Sequence, residues 1–139
     1  HAALLAQGAV PRFVAARIGP VQSSDSTRMD ADASMENEPG FLYDALVLAD
    51  GDKGVAALMK DGHTMAFIKD QYRHGKTIMA IGAAGALLEK AEVSAKLPGG
   101  DPDVGVIICG ADAAKSIDAF VKGVARHRHP ERETDPPLV

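Results

Sequence analysis

Residues 76–88 read Lys-Thr-Ile-Met-Ala-Ile-Gly-Ala-Ala-Gly-Ala-Leu-Leu. Five mostly apolar residues bounded by turn formers suit a strand buried on both faces, and Gly82 lets the chain turn at once into a helix. Two further runs, Tyr43–Ala49 and Val104–Cys109, have the same character. The segments between them carry apolar residues at steps of three and four. Met65, Ile68 and Tyr72 fall on one face, with Phe67 and Gln71 on its flank; Leu87 and Leu88 point inward; Ile117, Phe120, Val121 and Val124 form a stripe. Strands alternating with helices predict an α/β protein with a doubly wound, mainly parallel sheet, helices on both faces and right-handed crossovers.

The remaining elements are less regular. A helical stub over 2–7 closes at Gly8, a strand over 11–17 ends at Gly19-Pro20, and helices are expected over 54–60, 63–74 and 83–91. Residues 21–40 are polar, and a structureless loop of that length is uncommon, so a small hairpin is expected around Val21-Gln22 and Thr27-Met29. Asp112 can cap a last helix that runs to about His127. Residues 128–139, with three prolines and mixed charges, read as a tail, which places the domain at 1–127. A doubly wound sheet needs a strand before its first helix. That strand would lie upstream of His1, so the chain reads as a piece of a longer polypeptide.

Composition narrows the function classes. A length of 139 residues suits one domain, and 46% hydrophobic with 24% charged residues is the balance of a globular chain. With 4% aromatics and no Trp, the core must be built from Ala, Val, Leu, Ile and Met. A net charge of -4 argues against nucleic acid as a partner. No apolar run is long enough to cross a bilayer, and His1-Ala-Ala-Leu-Leu lacks the features of a signal peptide. A single cysteine, Cys109, cannot form an internal disulfide, which suits a reducing, cytoplasmic setting.

The stretches Phe41–Gly51, Ala66–Ile78 and Ala80–Gly85, with Ala3–Arg12 and Ile18–Val21 before them, resemble the C-terminal domain of large-subunit haem catalases. The likeness runs from Ala2 to about His127. It implies a flavodoxin-like fold of the class I glutamine-amidotransferase-like superfamily. Active relatives such as PfpI-type proteases carry a nucleophilic Cys on the turn after a strand, in a pattern like Ala-Ile-Cys-x-Gly. Here that position is Gly82. Relatives also use a Gly-Gly loop near Leu48–Gly51, where Asp50 replaces the first Gly, and an acidic partner after a first strand that this chain lacks. The resemblance thus implies a degenerate pocket of Gly82, Ala83, Asp50 and Gly51, with no catalytic, cofactor or metal residue in this chain. Nucleophilic catalysis needs a thiol or hydroxyl with a base in reach, and Gly82 supplies neither.

Each remaining candidate has an ordinary structural reading. Gly82 could leave space for a ligand facing the N–H groups of Ala83 and Ala84, but a tight turn also explains it. Cys109 ends a strand, where α/β proteins place their sites, yet a small buried hydrophobe is the commoner state. His127 and His129, flanked by Arg126 and Arg128, read as a solvated helix end. His63 and His74 bracket one helix, and His74 complements its dipole. The five carboxylates of 25–38 lack the spacing of a calcium loop. Neither Tyr43 nor Tyr72 has the family's haem-ligand context.

The leading expectation is a non-catalytic accessory domain of a catalase. Its haem would sit elsewhere in the subunit, and its partners would be the rest of that subunit and the other members of a homotetramer. The alternatives are a stand-alone PfpI-like enzyme with a displaced thiol at Cys109, and a chaperone-like binding module using an open sheet edge.

Overall fold

The computed structural model describes residues 1–23 and 25–134. Along the chain these form α1 (Ala2–Ala6), β1 (Val14–Ala15), β2 (Pro20–Gln22), β3 (Arg28–Asp30), β4 (Ala33–Ser34) and β5 (Ala45–Leu48). Then come α2 (Asp52–Leu58), α3 (Gly62–Arg73), β6 (Thr77–Ile81), α4 (Gly85–Lys90), β7 (Val106–Cys109) and α5 (Ile117–Ala125).

The main sheet is parallel, in the order β5-β6-β7. Ile78 and Ala80 of central β6 point into a core with Leu48, Val55, Ile68, Leu87, Leu88 and Val106. Alternation sends Thr77 and Met79 to the opposite face. There Gly123 of α5 comes so close that a Cβ would lie 2.8 Å from the Thr77 methyl. Helices therefore cover both faces. This is why Ile78, Met79 and Ala80 are fully buried, whereas β5 is mostly half-buried. Among the described residues no strand pairs with the outer edge of β5.

Residues 1–44 depart from the expected layout. The strand foreseen over 11–17 shrinks to β1, which pairs in parallel with β4 and does not join the main sheet. The hairpin forms as foreseen, as β2 against β3. Side chains hold this region together. Asp32 accepts from Phe13 N–H at 2.7 Å, and Arg12 reaches Asp32 O and Glu38 Oε2, each at 3.0 Å. The Tyr43 hydroxyl donates to the same Glu38 carboxylate. Burial, then that hydrogen bond, push the Tyr43 phenol up to about 12.

Asp61 caps α3, accepting from His63 N at 3.3 Å and Thr64 N at 3.2 Å. The buried face of α3 is Thr64, Phe67, Ile68, Gln71 and Tyr72, while Met65 is only half-buried. The inward stripe is thus rotated from the Met65–Ile68–Tyr72 line. Two of its members are polar, so hydrophobicity alone could not reveal them. Gln71 earns its place by donating to Gly40 O and, at 3.1 Å, to Tyr43 O, which ties the loop before β5 to the helix.

The last helix starts later than expected. Asp112 accepts from Ala114 N at 3.1 Å and opens a 3-10 turn, Ala114–Ser116, that leads into α5. After His127, which takes a left-handed φ of 66°, the chain folds back into a second 3-10 turn, Pro130–Thr134. Reading 128 onward as a solvated tail is therefore corrected for the described part. His129 and Arg132 are 1% and 3% exposed.

Candidate functional site

The strand-to-helix bend after β6 lies where α/β proteins bind ligands, at the C-terminal edge of the sheet. Gly82 has φ 55°, the left-handed region that favours glycine. Residues 82–84 form a 3-10 turn that runs directly into α4. The neighbouring strand β5 ends at Leu48, and two residues later Asp50 swings its carboxylate over Gly82. A Cβ on Gly82 would overlap that carboxylate. Asp50 Oδ1 accepts from Ala83 N and from Gly51 N, both at 2.8 Å. Gly51, at φ 129°, provides the turn that places it.

All four residues of the degenerate pocket, Gly82, Ala83, Asp50 and Gly51, are therefore in one place, but the arrangement is a plug. The Ala83 N–H, a donor that could stabilise an oxyanion, is already bound to a fixed carboxylate. An incoming anion would meet negative charge. The contact of Asp50 with Gly82 was not legible in the chain, because the two residues are 32 positions apart.

Cys109 pairs in register with Ile81, one residue before the bend. Its thiol is half-buried and lies 3.7 Å from Ala80 O. Among the described residues no imidazole or carboxylate is hydrogen-bonded to it, so the base that a thiol nucleophile needs is not in place. The same residues hold no cluster of His, Cys, Asp and Glu suited to a metal ion. Both tyrosines are engaged within the domain, and Tyr72 is buried. Tyr43 is bonded to Glu38, and the Arg132 guanidinium lies 4.6 Å from the Tyr72 ring centre.

A second polar centre was missed by sequence reasoning. Arg132 folds back to form a bidentate pair with Asp103, Nε to Oδ2 at 2.6 Å and Nη2 to Oδ1 at 3.1 Å. Its Nη1 donates to Lys76 O at 2.6 Å. Asp103 also accepts from Gly105 N at 2.8 Å. The His129 ring sits beside this pair, its Nε2 2.9 Å from Thr77 Oγ1. Gly105 makes room for both, since a Cβ there would overlap Arg132 and His129. The one-dimensional trace of this centre was the glycine two residues after Asp103, too weak a signal to link it to a residue 29 positions away.

His129 is held below the usual imidazole range, first by burial and then by the charges of Arg132 and Arg126. The unfolded chain takes up the proton first, near pH 6.5. The stability this neutral ring provides is complete above that pH and is lost as pH falls through the folded value. Urea midpoints measured from pH 8 to pH 5 should drop more steeply for the native chain than for His129→Gln. Parallel curves would refute the assignment.

A family model described as the C-terminal domain found in long catalases matches residues 1–134. Catalase HPII of Pseudomonas putida is 33% identical over 131 residues, covering 94% of this chain and 17% of its own length. Catalase HPII of Mycobacterium avium is 32% identical, covering 84% of this chain and 18% of its own length. The chain thus spans less than a fifth of these relatives. In structure it resembles a ThiJ/PfpI domain protein from Brachyspira murdochii, with a TM-score of 0.74 and 16% identity over 90% of this chain and 85% of the other. It also resembles a DJ-1 superfamily protein from Salmonella typhimurium, with a TM-score of 0.66 and 22% identity over 96% and 84%. These structural likenesses establish the fold, the flavodoxin-like α/β arrangement of that superfamily.

Proposed function

Because the chain belongs to the family of C-terminal domains found in long catalases, we propose that it is a non-catalytic accessory domain of a catalase subunit. In this reading the haem domain lies elsewhere in the subunit and converts hydrogen peroxide to water and oxygen. The present domain adds packed surface to it, within a cytoplasmic homotetramer. Among the described residues no helix is long and apolar enough to cross a membrane.

The observation that carries the proposal is the plugged bend: Gly82 offers no side chain there, and Asp50 occupies the adjacent donor. A second observation concerns packing. Leu5, Val10, Phe13, Ile18 and Val21 are all more than a third exposed and crowd into the first 21 residues. Such apolar surface fits contact with other parts of a larger subunit. In this reading no catalytic step is assigned to this chain.

With added haem, the purified 139-residue chain should show no peroxide turnover above that of free haem and no shift or sharpening of the free-haem Soret band, while far-UV circular dichroism reports a folded α/β protein. Turnover above that of free haem would overturn the proposal.

A further inference from the structure

A small cavity of about 60 Å³ opens between the end of α3 and the returning C-terminal segment, lined by Arg73, His74, Gly75, Arg128, His129 and neighbours. That is several times the space one water needs. Two features mark it as more than a surface dimple. The first is an orphaned polar atom. His129 is 1% exposed, and its Nδ1 has no hydrogen-bond partner among the described residues. Buried polar atoms are nearly always satisfied, by water or by a ligand. The ring cannot turn away to find another partner. Thr77 holds Nε2, and Gly105 lies against the Cγ–Cδ2 edge, so Nδ1 is on the side away from Gly105.

The second feature is charge. Arg73 and Arg128 line the cavity and make no ion pair with a described residue, while Arg132 is committed to Asp103. One carboxylate, Glu133, is also on the lining. The C-terminus of α3 adds the equivalent of roughly half a negative charge. Two free guanidinium groups outweigh the dipole and Glu133 together, and guanidinium forks suit phosphate and carboxylate oxygens.

We propose that this cavity is a binding site for a small oxyanion of the phosphate class, held by Arg73 and Arg128 and accepting a hydrogen bond from His129 Nδ1–H. Thr77 donates its hydroxyl proton to Nε2 and thereby sets the ring tautomer. The site lies apart from the plugged bend and does not depend on the accessory-domain reading.

The test is a titration of the 139-residue chain with inorganic phosphate at constant ionic strength set by chloride. Long-range proton–nitrogen NMR follows the His129 ring. The expected result is a neutral ring protonated at Nδ1, with a saturable shift of that nitrogen. Arg128→Gln and Arg73→Gln should each weaken the apparent affinity about tenfold. Arg128 is exposed, so its variant is not expected to affect folding. A linear, unsaturated response, an equal response to chloride, or unchanged affinity in Arg128→Gln would mean an adventitious ion only and would overturn the site. A ring protonated at Nε2 would overturn the assigned donor.

Discussion

Arg132→Ala is expected to destabilise the domain by about 3–5 kcal/mol, read as a loss of unfolding free energy in urea. The reason is not the strength of the ion pair as such. Both partners are almost fully enclosed, and removing the guanidinium strands Asp103 as a buried, unpaired carboxylate. Lys76 O would lose its donor at the same time. Removing both partners, in Arg132→Ala with Asp103→Ala, should cost less than the sum of the single changes, because no charge is then left buried alone. Breaking the outer pair Lys69–Glu92, where Glu92 is 72% exposed, should cost no more than about 1 kcal/mol. A loss below 1 kcal/mol for Arg132→Ala would show that the returning segment is not anchored by this pair.

The second large effect concerns the bend. Introducing a thiol by Gly82→Cys should not create a reactive nucleophile and should cost about 1–3 kcal/mol through overpacking against Asp50, with left-handed strain added. Asp50→Gly alone should cost about 1 kcal/mol, since Gly51 N and Ala83 N lose their acceptor. Together the two changes should be markedly less damaging than their sum, because Asp50→Gly removes the carboxylate that the new side chain would meet. The cycle is measured by urea unfolding, and strict additivity would mean that Asp50 does not plug the site. Rapid labelling of the introduced thiol at neutral pH is expected only in the double variant, where the space and the Ala83 donor are both free.

These two sites also show how far the chain can be read in one dimension. The three parallel strands of the main sheet and the helices between them were legible as apolar runs and a period near 3.6, although only β6 is buried on both faces. The glycine at the bend was equally legible, because Gly82 directly follows an apolar run and precedes a helical one. The polar face of α3 was not. Thr64 is buried with its hydroxyl on the Asp61 cap, and Gln71 with its Nε2 on the carbonyls of Gly40 and Tyr43, contacts that no hydropathy pattern reports.

The chain's periodicity, its glycine at the bend and its family pattern settle the fold class and the absence of a thiol at Gly82. Only three-dimensional packing decides that Asp50 fills the space over Gly82, that the chain after His127 folds back, and that His129 and Arg132 become buried. The physical reason is distance along the chain. Apolar periodicity is a local property, whereas a buried charge pair or a plugged turn depends on residues tens of positions apart, whose encounter is fixed by how the sheet and helices close around them.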